Sequence, residues 1–378
     1  MKRFLFTFSD TGGGHRSAVQ AVKEELELYY GAQAQITLSD ILCTLGRWPF
    51  NRLPQWYPAM VKLRGIPWSI GYRLTDHPVV VATLTALTWP YIGRALTHLL
   101  RHTTPDVLVS FHALPNGALQ LARKHLDYPL PSAVVALDLA TVHAGWFAPG
   151  FELYITPTPT ARARALHWGL PPERVVVAGM PVQRRFSTAR ALSPAQARAQ
   201  LGLCQERPLI LLVGGGDGMG PLAEVVTAVA QRCPQAQLVA LAGHNQALQT
   251  QLAALQIIPP LITPGFAPNI EVWMRAADVL VTKAGPNTLA EAFLMGVPLV
   301  LYTALPGQET GNVAYMQTHG AGIWAPSPER AAVATQQLLA NPQQRAQLIA
   351  HARALAAPDA AARIAQQVWA LGEMGGIM

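Results

Sequence analysis

The sequence is poor in charged residues and in cysteine. Charged side chains make up 13% of its 378 residues and hydrophobic side chains 51%, which excludes a disordered chain because disorder requires high charge and low hydrophobicity. The three cysteines, Cys43, Cys204 and Cys233, are odd in number and show no metal-like spacing. Disulfides are therefore not expected, and a reducing compartment is favoured. The length predicts two domains of ~150 residues, each able to bury a core.

The sequence also lacks an uninterrupted apolar run of membrane-spanning length. The longest such stretch, residues 79–87, contains Thr83 and Thr85 and stops before Pro90, whereas a membrane span needs ~20 residues. The basic start, Met1-Lys2-Arg3, leads directly into a short apolar strand, which is too short for a signal peptide. We therefore expect a soluble or peripheral protein.

Acidic residues are nearly missing from residues 41–105, where Asp76 is the only acid. The same segment is rich in tryptophan and arginine. Tryptophan prefers the headgroup level of a bilayer, and cations are attracted to anionic lipid. The pattern predicts docking on an anionic membrane surface through Arg47, Trp48, Arg52, Trp56, Lys62 and Arg64. The alternative is a helical insertion that buries its aromatic residues and leaves its arginines in solvent. Nucleic acid is a third option that the net charge of +7 permits, but the sequence has no recognition motif for it.

Short apolar runs alternate with helical patterns along the chain. In the first half they lie at residues 4–8, 35–38, 106–110, 132–137, 152–156 and 174–178, and in the second at 209–213, 238–242, 279–281 and 298–302. Alternation at this spacing predicts an α/β protein with parallel sheets. We expect two Rossmann-like, doubly wound domains that face a central crevice. The predicted domains are 1–185 and 186–355, followed by a C-terminal helix in 356–378 that is a candidate for packing back on the N-terminal domain.

A glycine-containing turn joins an apolar run to a helix near residue 285. The turn lies at the carboxyl end of a predicted strand, where backbone N–H groups and the helix dipole favour an anion; its binding candidates are Lys283, Gly285, Pro286, Asn287 and Thr288. A second loop of this kind follows residues 209–213 and contains Gly214, Gly215, Gly216 and Gly218. No Asp-x-Asp motif occurs in the sequence, so a metal is not demanded, and backbone N–H groups can neutralise a diphosphate instead.

Polar side chains follow the turn at residue 285. Glu291, one turn into the helix, suits ribose hydroxyls, from which a carboxylate accepts charge-assisted bonds. The alternative for Glu291 is a surface acid stabilised by the helix dipole. Gln308, Glu309 and Asn312, which follow the next strand, suit the hydroxyls of a sugar. The pattern predicts a nucleotide-sugar site in the C-terminal domain.

The first strand ends in another glycine-rich turn, Ser9-Asp10-Thr11-Gly12-Gly13-Gly14-His15. Glycine lets the backbone approach a ligand closely, so Gly13 and Gly14 are candidates for acceptor binding. His15, presented at a helix start, is a candidate general base, or else a histidine that bonds to backbone.

Further candidates for the acceptor side follow other strands of the N-terminal half. Asp138 ends a strand at the same edge of the sheet and either orients the imidazole of His15 or caps a loop. His112, His143 and Trp146 are candidates for lining the acceptor pocket.

With these motifs, the sequence resembles the monogalactosyldiacylglycerol synthase / processive diacylglycerol glycosyltransferase family. The resemblance rests on the Gly-Gly-Gly-His turn, on the block around Lys283 and Glu291, and on Gly307-Gln308-Glu309-Thr310-Gly311-Asn312. A more distant similarity is to the peptidoglycan N-acetylglucosaminyltransferase. The family usually has glycine where Asn287 stands. Phe266 resembles the base-side loop of the family, and the alternative for it is a core phenylalanine.

The resemblance implies the glycosyltransferase-B fold and an inverting hexosyltransferase. The C-terminal domain then holds a UDP-sugar as co-substrate, with no cofactor required, and the N-terminal domain binds diacylglycerol. The product is a β-glycosyl-diacylglycerol carrying galactose or glucose, made by a peripheral protein at the cytoplasmic face of an anionic membrane. Alternatives are N-acetylglucosaminyl transfer to a polyprenyl-linked lipid, a nucleotide-sugar 2-epimerase, and a non-catalytic partner of a membrane enzyme.

Overall fold

The computed structural model describes residues 1–10, 14–44, 52, 56 and 65–374. Within these residues the chain forms two compact units. The first comprises Met1–Gln183, Pro306–Gln308 and Asp359–Met378, and the second comprises Arg184–Leu305 and Glu309–Pro358. Each unit is built on its own six-stranded sheet, and the paired strands of both sheets run parallel.

The sheet of the first unit has the strand order β2-β1-β3-β4-β5-β6. Its strands are β1 (Lys2–Phe8), β2 (Ala34–Asp40), β3 (Val107–Ser110), β4 (Ser132–Val135), β5 (Leu153–Thr156) and β6 (Val175–Val177). Helices α1 (Gly14–Tyr30), α2 (Ile41–Thr44), α3 (Ile66–Thr75), α4 (Pro78–Thr103), α5 (Asn116–Arg123) and α6 (Pro159–His167) connect them. Strands β3 and β4 are buried along their whole length, as expected of a parallel sheet covered on both faces.

The sheet of the second unit has the order β12-β11-β10-β7-β8-β9. Its strands are β7 (Leu209–Val213), β8 (Gln237–Leu241), β9 (Leu261–Ile262), β10 (Val279–Lys283), β11 (Leu299–Thr303) and β12 (Ile323–Trp324). The helices are α7 (Arg184–Arg190), α8 (Pro194–Gln200), α9 (Leu222–Arg232), α10 (Gln246–Ala253), α11 (Ile270–Ala276), α12 (Pro286–Met295), α13 (Thr310–Thr318), α14 (Pro328–Ala340) and α15 (Pro342–Leu355). In both sheets the strand order reverses beside the first strand of the unit, and such switch points open a crevice at the carboxyl ends of the strands.

The last helix, α16 (Ala360–Met374), groups with the first unit. The indole of Trp369 stacks on the ring of Tyr30 in α1, with the ring centroids 3.8 Å apart and an interplanar angle of 4°. The ammonium of Lys2 lies 4.0 Å from the centroid of the same indole. These contacts attach the C-terminal end of the chain to the first helix and first strand.

Helix α4 differs from the prediction. The apolar run was expected to stop before Pro90, but the helix continues through Pro90 and is 26 residues long. Among the residues that the structure describes, it is the one helix long and apolar enough, by length and composition, to cross a membrane. Its buried residues all lie in its second half, at Ile92, Gly93, Leu96 and Leu100. The first half therefore carries an apolar sequence without a fully buried residue.

Candidate active site

His15 lies in the first turn of α1, just beyond the carboxyl end of β1. Residues 11–13 of the glycine-rich turn, and with them the predicted acceptor residue Gly13, lie outside the described residues. Gly14 is the first residue of the helix. The Nδ1 atom of His15 lies 2.8 Å from the carbonyl oxygen of Phe111, which follows β3. Because a carbonyl only accepts, Nδ1 is the donor, and in the neutral ring Nε2 is left to accept a proton.

The surroundings of His15 favour its neutral form. Burial lowers the pKa of His15 to about 4, although the bond to the Phe111 carbonyl and the charge of Asp10 act in the opposite direction. The ring of His112 lies 4.6 Å from that of His15, centroid to centroid. Burial also lowers the pKa of His112 well below its usual value, and the charge of His15 adds to this effect. At neutral pH, therefore, His15 is an unprotonated imidazole that can take a proton.

Asp138 is buried, and its carboxylate positions Trp146. The Nε1 atom of Trp146 donates to Oδ2 of Asp138 at 2.7 Å, and the indole lies 6.1 Å from the ring of His15 at an interplanar angle of 30°. Nε2 of Gln308, a residue that groups with the first unit, lies 3.3 Å from Oδ1 of Asp138. The prediction that Asp138 orients the imidazole is corrected, since the partner of Nδ1 is the Phe111 carbonyl.

The other two predicted acceptor histidines are bonded within the protein. Nδ1 of His143 accepts from the backbone N–H of Gly145 at 3.0 Å, so Nε2 carries the proton and donates to Oγ1 of Thr75 at 3.1 Å. His112 is buried, and its Nδ1 accepts from the backbone N–H of Leu114 at 3.3 Å. His112 therefore supports the ring of His15 from inside the protein and is not exposed to an acceptor.

The donor-side turn lies between β10 and α12 in the second unit. Gly285 is the residue that precedes α12, and Pro286 is the first residue of the helix. The N–H groups of Asn287 and Thr288 therefore belong to the first turn of α12, and a helix N-terminus favours an anion. Lys283 forms an ion pair with Glu309, and both side chains are largely buried.

The glycine loop that follows β7 lies against Lys283. Gly215 has a φ of +77°, and a Cβ atom there would lie 2.8 Å from Cε of Lys283, so only glycine fits beside the lysine. Gly214, Gly216 and Gly218 belong to the same loop, in which the backbone N–H of Met219 donates to Gly214 at 2.8 Å. The sequence analysis did not single out Asp217 in this loop. Burial raises its pKa, while Lys283 and His244 lower it.

An aromatic pair lies near this loop. Phe266 is 55% exposed, and its ring stacks on that of His244 with centroids 4.3 Å apart and an interplanar angle of 17°. The backbone N–H of His244 donates to the carbonyl of Gly216 at 2.8 Å, which connects the pair to the loop. The exposure excludes the core-phenylalanine alternative for Phe266. His244 belongs to no sequence motif from which its place beside Phe266 could be predicted.

Glu291 is half-buried in α12. Burial raises its pKa to about 8; the charge of Arg185 lowers it and that of Glu271 raises it. At neutral pH the carboxyl group is therefore protonated, and it can donate a hydrogen bond as well as accept one. This environment excludes the alternative of a solvated surface acid.

All three predicted sugar-reading residues are bonded within the protein, Gln308 to Asp138 and the other two as follows. Oε2 of Glu309 accepts from the backbone N–H of Leu305 at 2.8 Å, in addition to the ion pair with Lys283. Asn312 is fully buried, and its Nδ2 donates to the carbonyl of Ala284 at 2.9 Å. Both side chains therefore stabilise the turn that carries Lys283 and Gly285, and their contact with a sugar stays a prediction.

Part of the predicted membrane-docking set lies outside the described residues: Arg47, Trp48, Lys62 and Arg64. Arg52 and Trp56 are described, and both are exposed. In the part of the chain that the structure describes, no group of three or more His, Cys, Asp or Glu side chains could hold a metal ion.

Comparison with known proteins identifies the family. The family model for monogalactosyldiacylglycerol (MGDG) synthase matches residues 15–182, and the model for the glycosyltransferase family 28 C-terminal domain matches residues 209–368. A curated relative, the probable monogalactosyldiacylglycerol synthase 2, chloroplastic, of Oryza sativa subsp. indica, is 34% identical over 88% of this chain and 72% of its own length.

Solved structures share the fold. MurG of Acinetobacter baumannii aligns with a TM-score of 0.60 at 16% identity, over 98% of this chain and 100% of its own. The UDP-GlcNAc 2-epimerase of Neisseria meningitidis bound to UDP-GlcNAc aligns with a TM-score of 0.61 at 15% identity, over 97% of this chain and 99% of its own. At such identities the likeness shows the fold alone, and it confirms the predicted glycosyltransferase-B fold. With the relative and the two family matches, this chain belongs to the monogalactosyldiacylglycerol synthase family of glycosyltransferases.

Proposed function

We propose that the protein transfers galactose from UDP-galactose to the free hydroxyl of diacylglycerol and so makes a β-galactosyl-diacylglycerol. The observation that carries the proposal is the neutral imidazole of His15, with Nε2 left to accept a proton, in a chain whose relatives are monogalactosyldiacylglycerol synthases. An alcohol is a weak nucleophile, so its transfer to a sugar requires such a base.

In the proposed reaction, the hydroxyl oxygen of diacylglycerol attacks the anomeric carbon of the sugar. The bond from that carbon to the diphosphate breaks, and UDP leaves with the electron pair. The hydroxyl proton passes to Nε2 of His15. Attack from the face opposite the leaving group inverts the anomeric centre. A positioned histidine contributes roughly 10²–10⁴-fold to such a step.

The second unit supplies the groups that stabilise the leaving diphosphate. Negative charge that develops on UDP lies at the N-terminus of α12, which begins at Pro286, because the dipole and the N–H groups of a helix start favour an anion. Lys283 and the loop beginning at Gly214 lie beside that turn, and preorganised donors of this kind stabilise charge in the transition state. Glu291 binds the ribose hydroxyls, and the exposed ring of Phe266 packs on the uracil. No metal or other cofactor is required in this scheme.

Diacylglycerol is a membrane lipid, and the first unit carries an apolar surface suited to a bilayer interface. It consists of α3 and of α4 up to Tyr91, and its large apolar side chains that are more than half exposed are Ile66, Ile70, Leu74, Val79, Leu87 and Tyr91. We call these residues the lipid-facing surface. Burying exposed apolar side chains at the headgroup boundary drives interfacial binding. The protein is thus peripheral, on the cytoplasmic face of an anionic membrane, with the predicted cations adding attraction.

The test is to incubate the pure protein with vesicles that contain diacylglycerol and with one UDP-sugar at a time, and then to separate the lipids. UDP-galactose is expected to give a galactolipid with a β linkage by nuclear magnetic resonance. A product only from UDP-glucose would revise the donor. The absence of any diacylglycerol glycoside, or the epimerisation of UDP-GlcNAc in its place, would contradict the proposed function.

A further inference from the structure

The end of α3 is attached to the loop Thr141–Ala144 by successive hydrogen bonds. Three side chains in or next to the last turn of α3 bond to three residues of this loop. In chain order, Oη of Tyr72 donates to the Thr141 carbonyl at 2.6 Å, Oγ1 of Thr75 lies 3.1 Å from Nε2 of His143, and Oδ1 of Asp76 accepts from the N–H of Ala144 at 2.8 Å. Three separate bonds therefore hold the end of α3 against the loop.

Arg164 of α6 completes the attachment. Its Nε atom donates to the carbonyl of Val142 at 2.6 Å, and its Nη2 atom forms an ion pair with Oδ2 of Asp76. Both side chains are mostly buried, with 29% of Arg164 and 17% of Asp76 exposed. Charge-assisted bonds in such a setting are stronger than neutral ones. Asp76 therefore bonds the loop directly through Oδ1 and indirectly through Arg164.

The loop leads directly to the ring beside the proposed base. Ala144 is the first residue of the short helix Ala144–Phe147, and this helix carries Trp146. The indole of Trp146 is fixed by Asp138 and lies next to the ring of His15. A displacement of the loop would therefore move the buried indole that lies next to the ring of His15.

The other side of the attachment is the lipid-facing surface. Asp76 lies between α3 and α4, the two helices that expose the apolar side chains. Helix α3 has no buried residue, and α4 has none before Ile92. The second half of α4 is anchored in the hydrophobic core through Ile92, Leu96 and Leu100, and the polar attachment connects the turn between the two helices to the loop.

We propose that Asp76 and Arg164 are positioning residues that connect the lipid-facing surface to the indole of Trp146 beside His15, so that a diacylglycerol taken from the bilayer arrives in register with the base. The inference rests on the proposed function. It concerns acceptor delivery, because Lys283 and Glu291, which bind the donor in the proposed function, belong to the second unit. Misplacement of a reactant by about 1 Å can cost roughly 10²-fold in rate.

The test compares Asp76→Ala and Arg164→Met with the parent protein on vesicles containing diacylglycerol. We expect kcat/KM for diacylglycerol to fall about tenfold to a hundredfold through a higher KM, while KM for UDP-galactose and vesicle binding stay unchanged. Arg123→Met is the matched control, because it removes another partly buried ion pair of the same unit, with Glu152 at 2.8 Å. Asp76→Asn keeps an acceptor for the Ala144 N–H. Its kcat/KM for diacylglycerol should therefore lie between the values for Asp76→Ala and for the parent protein.

Several outcomes would overturn the inference. An unchanged KM for diacylglycerol in Arg164→Met and Asp76→Asn would overturn it. If Asp76→Ala does not fold, the result from these two variants alone tests the inference. A rise of KM for UDP-galactose as large as that for diacylglycerol would indicate a general structural role. So would a loss of kcat/KM for diacylglycerol in Arg123→Met as large as in Arg164→Met. Lost vesicle binding would show that the pair builds the docking surface itself. If the parent protein makes no diacylglycerol glycoside, the proposed function fails, and that result is separate from any of these.

Discussion

The Nδ1 atom of His15 lies 2.8 Å from the carbonyl oxygen of Phe111. This contact determines which nitrogen of the imidazole can act as a base, because a carbonyl accepts only from a protonated Nδ1. In many hydrolases a carboxylate performs this orienting role. A backbone carbonyl brings no negative charge, so nothing in this contact strongly raises the basicity of the ring, and burial keeps the ring neutral.

The pH dependence of the reaction follows from the lowered pKa of His15. An ordinary histidine becomes protonated below pH ~6.5, whereas the pKa of His15 is about 4. The base form therefore persists as the pH falls, and activity is lost only as the pH passes through about 4. We expect kcat/KM to stay level between pH 7 and roughly 5, with circular dichroism confirming that the protein remains folded. An acid limb with its midpoint near 6.5 would contradict this.

Glu291→Ala should weaken UDP binding, because the ribose contact exists before any chemistry. The loss of one hydrogen-bonding group predicts a change of about tenfold in Kd. Glu291→Gln should bind more tightly than Glu291→Ala, since the native carboxyl is neutral below pH about 8 and an amide resembles it. Glu329→Ala, at an exposed helix acid of α14, is the control. Unchanged UDP affinity by calorimetry in Glu291→Ala would remove Glu291 from the site.

Excess chelator should leave turnover unchanged, because in the proposed function the donor phosphates bind at Lys283 and at the start of α12. Lys283→Met should instead lower kcat, since it removes the cation nearest the glycine loop. The two measurements are made on the same preparation. A strict requirement for Mg²⁺ that chelation abolishes would refute a metal-free diphosphate site.

Membrane binding should depend on the apolar side chains of α4. Leu84→Ser combined with Leu87→Ser is expected to reduce co-sedimentation with vesicles at both low and high salt, because salt does not screen apolar burial. Leu28→Ser, at an exposed leucine of α1, serves as the control.

Charge reversal at Arg47, Arg52, Lys62 and Arg64 should reduce binding to anionic vesicles at low salt only. If neither this variant nor the double leucine variant loses binding under any condition, the acceptor reaches the protein by another surface.

Ten of the twelve described strands could be read from the sequence because each is a short apolar run bounded by turn residues, whereas β9 and β12, of two residues each, were not predicted. Residues 209–213 form β7 as predicted, and the other predicted strands are displaced by a few residues at most. Helix α4 could not be read in this way. Its threonines bond to carbonyls one turn earlier, as Thr83 does to Val79 at 2.8 Å, and Pro90 stands inside it, so the usual signs of a helix end were misleading.

The motifs of the candidate site could be predicted from the sequence. The hydrogen-bond partners of its side chains could not. The glycine-rich turns placed His15 and Gly285 at helix starts, which follows from local backbone chemistry. The partner of His15 is a main-chain carbonyl, which any residue at position 111 would supply, so no side-chain pattern marks it. Asn312 and Glu309 were assigned to the sugar on the basis of residue type alone. Their burial depends on how the turn after β11 folds back on Ala284 and Lys283.

The most direct measurement is transfer to diacylglycerol by His15→Ala, together with its affinity for UDP. The account predicts that the variant loses roughly 10²–10⁴-fold in turnover while its UDP affinity matches that of the parent, because the base serves the acceptor and the donor groups belong to the second unit. Turnover close to that of the parent, in a variant that still binds UDP, would contradict the assignment of His15 as the base.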